Sequence, residues 1–239
     1  MNRLTAIKSV VMKNSNKIKI IDIIDPTNLI LYYRFSSQDV SGTSLANWAT
    51  GIPVFDAVMT GTTNIVNNQL STLTSGTGGN GIIINRSIPR TGFTGLSFSF
   101  WFNASRLSTN NYPFFVTIQD TLGYPHGNRY YISLYPGNYL SVNGQLGSTA
   151  TTLISVNTLY HIAVVVNSSG NPNTTLYINN VPQTGNTSYP TFTNISGYNL
   201  IDRDPAGDGL IGTIDDYRLH NRSLTAGEVN TLFISGRSV

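Results

Sequence analysis

Carboxylate side chains, which can cleave glycosidic bonds or hold hard cations, are scarce in this chain. Its 239 residues include 11 Asp and Glu together, and the one Glu is Glu228. Glycoside hydrolysis generally needs two carboxyl groups, one to donate a proton and one to attack or to activate water. Glu228 is expected to cap a helix, and no two aspartates alternate along a predicted strand. The sequence therefore predicts that the chain is not an enzyme.

A short acidic run is the first candidate for a metal site. Residues 202–208 contain Asp202, Asp204 and Asp208. Carboxylate oxygens are ligands that Ca²⁺ prefers, although this run lacks the central glycine and the final glutamate of an EF-hand loop. The same residues also suit an Asp/Gly/Pro turn, in which each aspartate caps its own backbone. A calcium site and a simple turn are both compatible with the pattern.

Aromatic and amide side chains gather in a second segment, residues 120–131. Proteins hold sugars against the faces of aromatic rings, with hydrogen-bonding groups placed beside them. The candidate sugar contacts are Tyr124, His126, Asn128, Arg129 and Tyr130, with Trp48 in a separate polar loop. The alternative is that these rings only cover the ends of strands.

The net positive charge of the chain lies at its beginning. The formal net charge is +3, and the basic residues before position 26 are Arg3, Lys8, Lys13, Lys17 and Lys19. From residue 26 onward arginines and acids balance. Residues 1–25 are therefore predicted to be a basic arm, either solvated or docked on an acidic partner protein. Nucleic acid is less favoured, because no aromatic residue interleaves the basic ones.

Hydrophobic alternation predicts the elements that position these side chains. Residues 96–103 alternate apolar with mostly polar side chains, which is typical of a strand with one buried face. Further strands are predicted at 29–35, 53–59, 81–87, 112–119, 129–135, 139–142, 159–166 and 174–178. Because strands do not alternate with helices, residues 26–239 should form one all-β domain of two antiparallel sheets, a jelly-roll sandwich. The chain has no cysteine, so it has no disulfide and no thiolate metal site.

The stretch 212–233 should close this domain. Simple alternation would direct Asp216 and Arg218 to one face of a strand and Asp215 to the other. Thr225 followed three residues later by Glu228 is a capping box, which predicts a helix over 226–234. An apolar stripe on that helix should pack on the sheet to which the strand belongs.

This closing stretch resembles the end of laminin-G-like domains, which belong to the concanavalin A-like lectin and glucanase jelly rolls. The matching positions are Asp215, Asp216, Arg218, Asn221, Arg222, Leu224, Thr225 and Glu228. A second match lies within 159–180, and a weaker one is the predicted first strand at 29–35. The resemblance implies a concanavalin A-like sandwich with a short C-terminal helix. It also implies that Asp215 helps to hold a structural calcium, unless Arg218 neutralises that charge.

The same resemblance also leads to an expectation about function. The glucanase members carry their acids as E-x-D-x-x-E on one strand, and this pattern is absent here. The runs 29–35, 47–51 and 53–57 look like laminin-G-like proteins of large DNA viruses. We therefore expect a non-catalytic structural or surface protein, a minor capsid or surface component of a virion that docks on capsid proteins through residues 1–25. The alternative is a lectin module that binds glycans for host or cell-surface attachment.

Targeting signals bear on where such a protein would be found. Residues 1–25 contain no apolar run of the kind found in secretory signals. The chain also has no run of 18 apolar residues that could span a membrane. We therefore expect a virion location, or a cell-surface location reached by an unconventional route.

Overall fold

The computed structural model describes residues 28–49, 57–61, 63–72, 81–84, 88–89, 92–106, 114–119, 129–135, 138–142, 149–168, 174–183, 194–195, 197–199 and 211–237. The strands in chain order are β1 (Leu29–Tyr33), β2 (Val40–Ser41), β3 (Ser44–Leu45), β4 (Ala57–Thr60), β5 (Thr63–Val66), β6 (Gln69–Thr72), β7 (Gly81–Ile84), β8 (Ile88–Pro89), β9 (Gly95–Arg106), β10 (Phe114–Gln119), β11 (Arg129–Tyr135), β12 (Tyr139–Val142), β13 (Thr149–Leu153), β14 (Leu159–Asn167), β15 (Thr174–Ile178), β16 (Val181–Pro182), β17 (Asn194–Ile195), β18 (Gly197–Asn199) and β19 (Ile211–His220). A 3-10 turn spans Ser37–Asp39, and helix α1 spans Ala226–Ser235. Within these described ranges, no helix is both long and apolar enough to cross a membrane.

Two antiparallel sheets enclose one core. The first sheet has the order β16-β15-β14-β9-β19-β6-β5, and β1 also pairs with β19. The second sheet has the order β13-β12-β11-β10-β18-β7-β4-β3-β2, and β8 and β17 form a separate short pair. Apolar side chains from both large sheets join in a single buried cluster. The predicted all-β sandwich of two antiparallel sheets is thereby confirmed.

Strand β9 is central to the first sheet, and its alternation fills the core. Phe100 and Phe102 are buried between the sheets. The ring of Phe102 stacks on Tyr160 of β14 with centroids 5.6 Å apart, and Phe100 lies 6.5 Å from Tyr217 of β19. Aromatic pairs at such separations stabilise the core beyond the area they bury. The neighbouring strand β14 is apolar on both faces because one face meets the core and the other is covered by helix α1.

Strand β19 carries a bulge that decides where its acidic residues point. Between Asp215 and Arg218 the register with β9 shifts. The inserted residue is Asp216, with a φ of 53°, a left-handed conformation that Asp tolerates better than most residues. Tyr217 then points into the core, while Asp215 and Arg218 both lie on the outer face of the sheet. The predicted alternation put Asp215 and Arg218 on opposite faces, and it is wrong because it assumed an unbroken strand.

Helix α1 covers part of that outer face. The Thr225 hydroxyl accepts a hydrogen bond from the Glu228 amide at 3.2 Å, and the Glu228 carboxylate accepts one from the Thr225 amide at 2.8 Å. This is the predicted capping box. The apolar contact beneath the helix consists of Leu224, Val229 and Leu232 against Ala163 and Val165 of β14. The outer face beyond the helix carries polar and aromatic side chains instead.

Candidate functional site

Trp48 is fixed at the margin of the first sheet by backbone hydrogen bonds. Its amide donates to the carbonyl of Tyr32 at 2.9 Å. The side chain of Asn47 holds the same segment, since its Oδ1 accepts from the Tyr32 amide at 2.8 Å and its Nδ2 donates to the carbonyl of Ile30 at 3.1 Å. The short segment 46–49 therefore lies along β1. The side chain of Trp48 remains 46% exposed.

Arg34 supports the indole of Trp48. The guanidinium carbon of Arg34 lies 3.6 Å from the centroid of the Trp48 ring, well inside the range of a cation–π contact. Asp39 fixes that guanidinium, with Nη2 at 2.7 Å from Oδ1 and Nε at 3.4 Å from Oδ2. The Asp39 side chain is fully buried at the end of the 3-10 turn. The exposed ring is thus held by a pair of charged groups.

A second stack of the same kind lies next to the first, one strand further into the sheet. Tyr32 of β1 pairs with Arg218 of β19, whose guanidinium carbon is 4.7 Å from the Tyr32 ring. Arg218 donates to the Tyr32 hydroxyl at 3.3 Å and forms an ion pair with Asp216 at 3.0 Å. Burial by itself lowers the pKa of Arg218, but the charge of Asp216, with help from Tyr32 and Asp215, raises it overall. Arg218 therefore stays a cation.

We call Tyr32, Arg34, Trp48 and Arg218 the arginine strip. The sequence predicted only Trp48 as a functional residue. The alternation of residues 29–35 would have placed Tyr32 and Arg34 on the same outward face. No local pattern in the sequence brings Arg218 to Tyr32, because the two residues are 186 positions apart.

A buried aromatic cluster lies beside the strip, under the C-terminal end of α1. The ring centroid of Trp101 is 5.0 Å from that of His161 and 5.9 Å from that of Phe233. Burial, and then the charge of Arg218, lowers the pKa of His161 to about 3. The backbone amide of His161 donates to Asn179 at 2.8 Å, while its ring Nδ1 has no hydrogen-bond partner among the described residues. The imidazole of His161 is thus packed by ring contacts with Trp101 and Phe233.

The calcium candidates divide into two sets. Asp202, Asp204 and Asp208 lie outside the described residues. Asp215 is buried, lies 3.7 Å from Arg237 and acts electrostatically on Arg218. Within the described ranges no three acidic, histidine or cysteine side chains come together as a metal would require. The surroundings of Asp215 fit the alternative of charge neutralisation by arginine better than calcium.

Of the remaining predicted residues, the structure describes the backbone of Arg129 and Tyr130. Tyr124, His126, Asn128 and the arm of residues 1–25 lie outside the described part of the chain. Arg129 and Tyr130 belong to β11, which lies five strand positions from β3 in the second sheet. Trp48 comes shortly after β3 in the sequence. At about 4.8 Å a strand, that is roughly 24 Å. The backbone of residues 129–130 is therefore distant from the segment that carries Trp48.

Comparison with known families agrees with the fold. The sequence model of the concanavalin A-like lectin/glucanases superfamily matches residues 75–230, more than half of the chain. The chain therefore belongs to this superfamily, and the predicted laminin-G-like, concanavalin A-like domain is confirmed. No curated protein sequence matches the chain.

Solved structures with the same fold include two kinds of protein. Trypanosoma rangeli sialidase in complex with sialic acid has a TM-score of 0.67 and 16% identity, over 87% of this chain and 33% of that chain. A structure on the interaction of botulinum neurotoxin type C with two ganglioside molecules has a TM-score of 0.61 and 18% identity, over 88% of this chain and 52% of that one. The binding domain of botulinum neurotoxin DC in complex with rat synaptotagmin II has the same values. This chain thus spans about a third of the sialidase and half of the toxin chains, and likeness at such identity shows the fold alone.

These neighbours correct one expectation. The chain was predicted not to be an enzyme because it lacks the carboxylate pair of the glucanases. The similar structures include sialidases, one of them a covalent intermediate with 2,3-difluorosialic acid. Sialidases use a tyrosine nucleophile and depart from the two-carboxylate pattern. The prediction is therefore wrong as drawn, because a shortage of glutamate does not separate this fold from enzymes.

Proposed function

We propose that this protein binds carbohydrate, with Trp48 as the platform on which a sugar ring stacks. The observation that carries the proposal is the exposed indole of Trp48. Arg34 stacks on this ring, and Asn47, which accepts a hydrogen bond from the Tyr32 amide, holds the backbone next to it. A ring fixed before binding loses little conformational freedom when a ligand arrives, which favours affinity. Tyr32 and Arg218 beside it offer hydroxyl and N–H groups for sugar hydroxyls.

The relatives support the same class of ligand. The family is named for lectins and glucanases. One structural neighbour holds sialic acid and another is described by its interaction with ganglioside molecules. Tyr124, His126, Asn128, Arg129 and Tyr130 stay proposed as further sugar contacts.

Glycan-array binding followed by titration of the best hit tests the platform. Trp48→Ala should weaken binding roughly tenfold, since aromatic stacking contributes about 1 kcal/mol or somewhat more. Trp48→Phe should retain part of the affinity because it keeps an aromatic face. Leu153→Ala is the matched control, because Leu153 is also exposed but lies on the edge strand β13 of the other sheet. An array without hits, or equal binding by Trp48→Ala, would overturn the proposal.

We further propose that this glycan-binding domain is a surface component of a virion, docked on capsid proteins through residues 1–25. The similarity of the opening runs to virus proteins and the confinement of all lysines to residues 8–19 support this. Deleting residues 1–25 should abolish incorporation into particles while leaving glycan binding intact. Unchanged incorporation would contradict the docking role without touching the lectin role.

A further inference from the structure

The ion pairs around the arginine strip are unequal in exposure. In the pair Arg34–Asp39 the side chains are 26% and 0% exposed, in Arg218–Asp216 12% and 1%, and in Arg237–Asp215 30% and 4%. In every pair the acid is buried and the cation reaches the surface. The pair Arg222–Glu228 at the start of α1 is different, with 19% and 27%. A solvent-side ligand therefore meets the arginine side chains of these three pairs rather than their carboxylates, although the local formal charges cancel.

The three unequal pairs form one continuous region. Tyr32 belongs to β1, and Arg34 directly follows the end of that strand, two positions further along the chain and about 7 Å away at the usual strand rise. Arg218 lies across from Tyr32 in the strand register and under its ring. Asp215, the partner of Arg237, acts on Arg218. The region thus runs from the Trp48 platform to the end of α1.

The buried acids also orient the cations. Asp39 engages Nε and Nη2 of Arg34, and Asp216 engages Nη2 of Arg218. A guanidinium has five N–H donors, so each arginine keeps further N–H groups beyond these bonds. A guanidinium held in place by a buried carboxylate is pre-organised for bidentate hydrogen bonding to a second, incoming anion.

From this arrangement we propose that the site selects acidic glycans, meaning sugars that carry a carboxylate or a sulfate, over neutral ones. The sugar ring stacks on Trp48 and the anionic group reaches the outward N–H groups of Arg34, with Arg218 as the second cation. This inference rests on the proposed function, since it names the ligand class of the same site.

Three ligands with one common core test the selectivity. Lactose, sialyllactose and sulfated lactose should be titrated into the whole protein at about 50 mM and again at about 500 mM salt. Both acidic ligands should bind at least about tenfold more tightly than lactose at low salt, and the difference should shrink at high salt as charges are screened. Preference for only one of them identifies carboxylate or sulfate as the group recognised.

Variants separate the charge from the platform. Arg34→Gln alone would leave Asp39 as a buried unpaired charge, so the double variant Arg34→Gln/Asp39→Asn is used, which removes both charges together. It should bring acidic and neutral ligands to similar affinity, whereas Trp48→Ala should weaken both. The control is Arg222→Gln/Glu228→Gln, the pair without unequal burial, which should keep the preference. Arg34→Lys keeps the positive charge but lacks the planar guanidinium. It should show a reduced preference for acidic ligands, and it tests the proposal even if the double variant unfolds.

The outcomes are distinguishable. Equal affinity for lactose and its acidic forms in the native protein, with Trp48→Ala weakening all of them, overturns the acidic preference and leaves carbohydrate binding standing. Binding of none of the ligands overturns both. An acidic preference that survives unchanged in both the double variant and Arg34→Lys also overturns the assignment to Arg34.

Discussion

At the scale of single residues, His161 shows how burial can fix a protonation state. Its imidazole packs against both Trp101 and Phe233, and Arg218 adds a nearby positive charge. Both conditions oppose protonation, because a charged imidazole would lose its hydration and face a like charge. The histidine therefore acts as a neutral packing group in the folded protein.

This state predicts an acid sensitivity that depends on His161. The pKa of His161 is about 3 when folded and 6.5 in the reference state, so the unfolded chain binds a proton across that window and the folded chain does not. The free energy of unfolding should thus fall as pH falls below about 6.5. At about 1.4 kcal/mol per pH unit, the loss by pH 5 is about 2 kcal/mol.

Urea unfolding of the native protein and of His161→Phe at several pH values between about 5 and 7 measures how much His161 contributes to the pH dependence of the free energy of unfolding. The phenylalanine keeps the ring contacts and cannot take up a proton, so its stability should be flatter over the range. The range stays above most carboxylate titration, which keeps acid-linked effects of other groups small. Parallel curves for the two proteins would contradict the prediction.

At the scale of elements, the bulge in β19 links backbone geometry to the site. Asp216 occupies a left-handed conformation and also pairs with Arg218 through a side chain that is 1% exposed. Without the inserted residue, Tyr217 would leave the core face, because one position of register exchanges the two faces of a strand. Asp216 therefore both directs Tyr217 into the core and holds Arg218 of the arginine strip.

Asp216 variants should separate these two contributions. Asp216→Ala combines a strained backbone with a broken buried ion pair and should cost about 3–5 kcal/mol. Asp216→Gly relieves the strain and should recover roughly 1 kcal/mol of that loss. Chemical unfolding measures both, with Asp216→Asn as the control that keeps size and tolerance of the left-handed region. Equal stability of the alanine and glycine variants would show that the backbone conformation contributes nothing.

The sequence predicted well the elements that have a strong local pattern and poorly those that lack one. The bounds of β11, β12 and β15 agree with the structure, and those of β14 and α1 differ by one residue, because strong periodicity or a capping box defines them. The strands β2 and β3 lie in a segment predicted as a polar loop, and the hairpin β5–β6 lies in a Gly/Thr/Ser/Asn-rich stretch. Asn67 and Asn68 both have positive φ there, 52° and 56°. Paired asparagines favour the tight turn of such a hairpin, so this signal was present in the sequence.

The site was less predictable than the fold, for a physical reason. Trp48 was predicted as an isolated aromatic residue, but the stack depends on Asp39 being buried next to Arg34, which no periodicity reveals. The other half of the strip depends on pairing between the first and the last described strands, β1 and β19. Composition misled the functional prediction as well, since counting acids tests only for the carboxylate pair of the glucanases.

At the scale of the whole molecule, the C-terminal segment closes the sandwich in two ways. Strand β19 lies between β9 on one side and β1 with β6 on the other. The segment after it fastens onto β9, because the Ser97 hydroxyl donates to the Arg222 carbonyl at 2.9 Å and accepts from the Leu224 amide at 2.9 Å. A side chain at Gly95 would collide with Ser223. Pairing over such long sequence separations slows folding and favours a single cooperative transition.

Truncations should show that α1 is part of the folding unit. Ending the chain after Arg222 removes Leu224, Val229 and Leu232, each worth about 1.5–3 kcal/mol when fully buried. Their sum is comparable to the roughly 5–15 kcal/mol that stabilises a typical domain, so this truncated chain should not fold stably. Ending it after Gly236 keeps the helix and removes the Arg237–Asp215 contact at 3.7 Å, and it should cost about 1 kcal/mol. Circular dichroism with urea unfolding compares the two chains, and native-like cooperative unfolding of the shorter one would mean that the two sheets are sufficient without the helix.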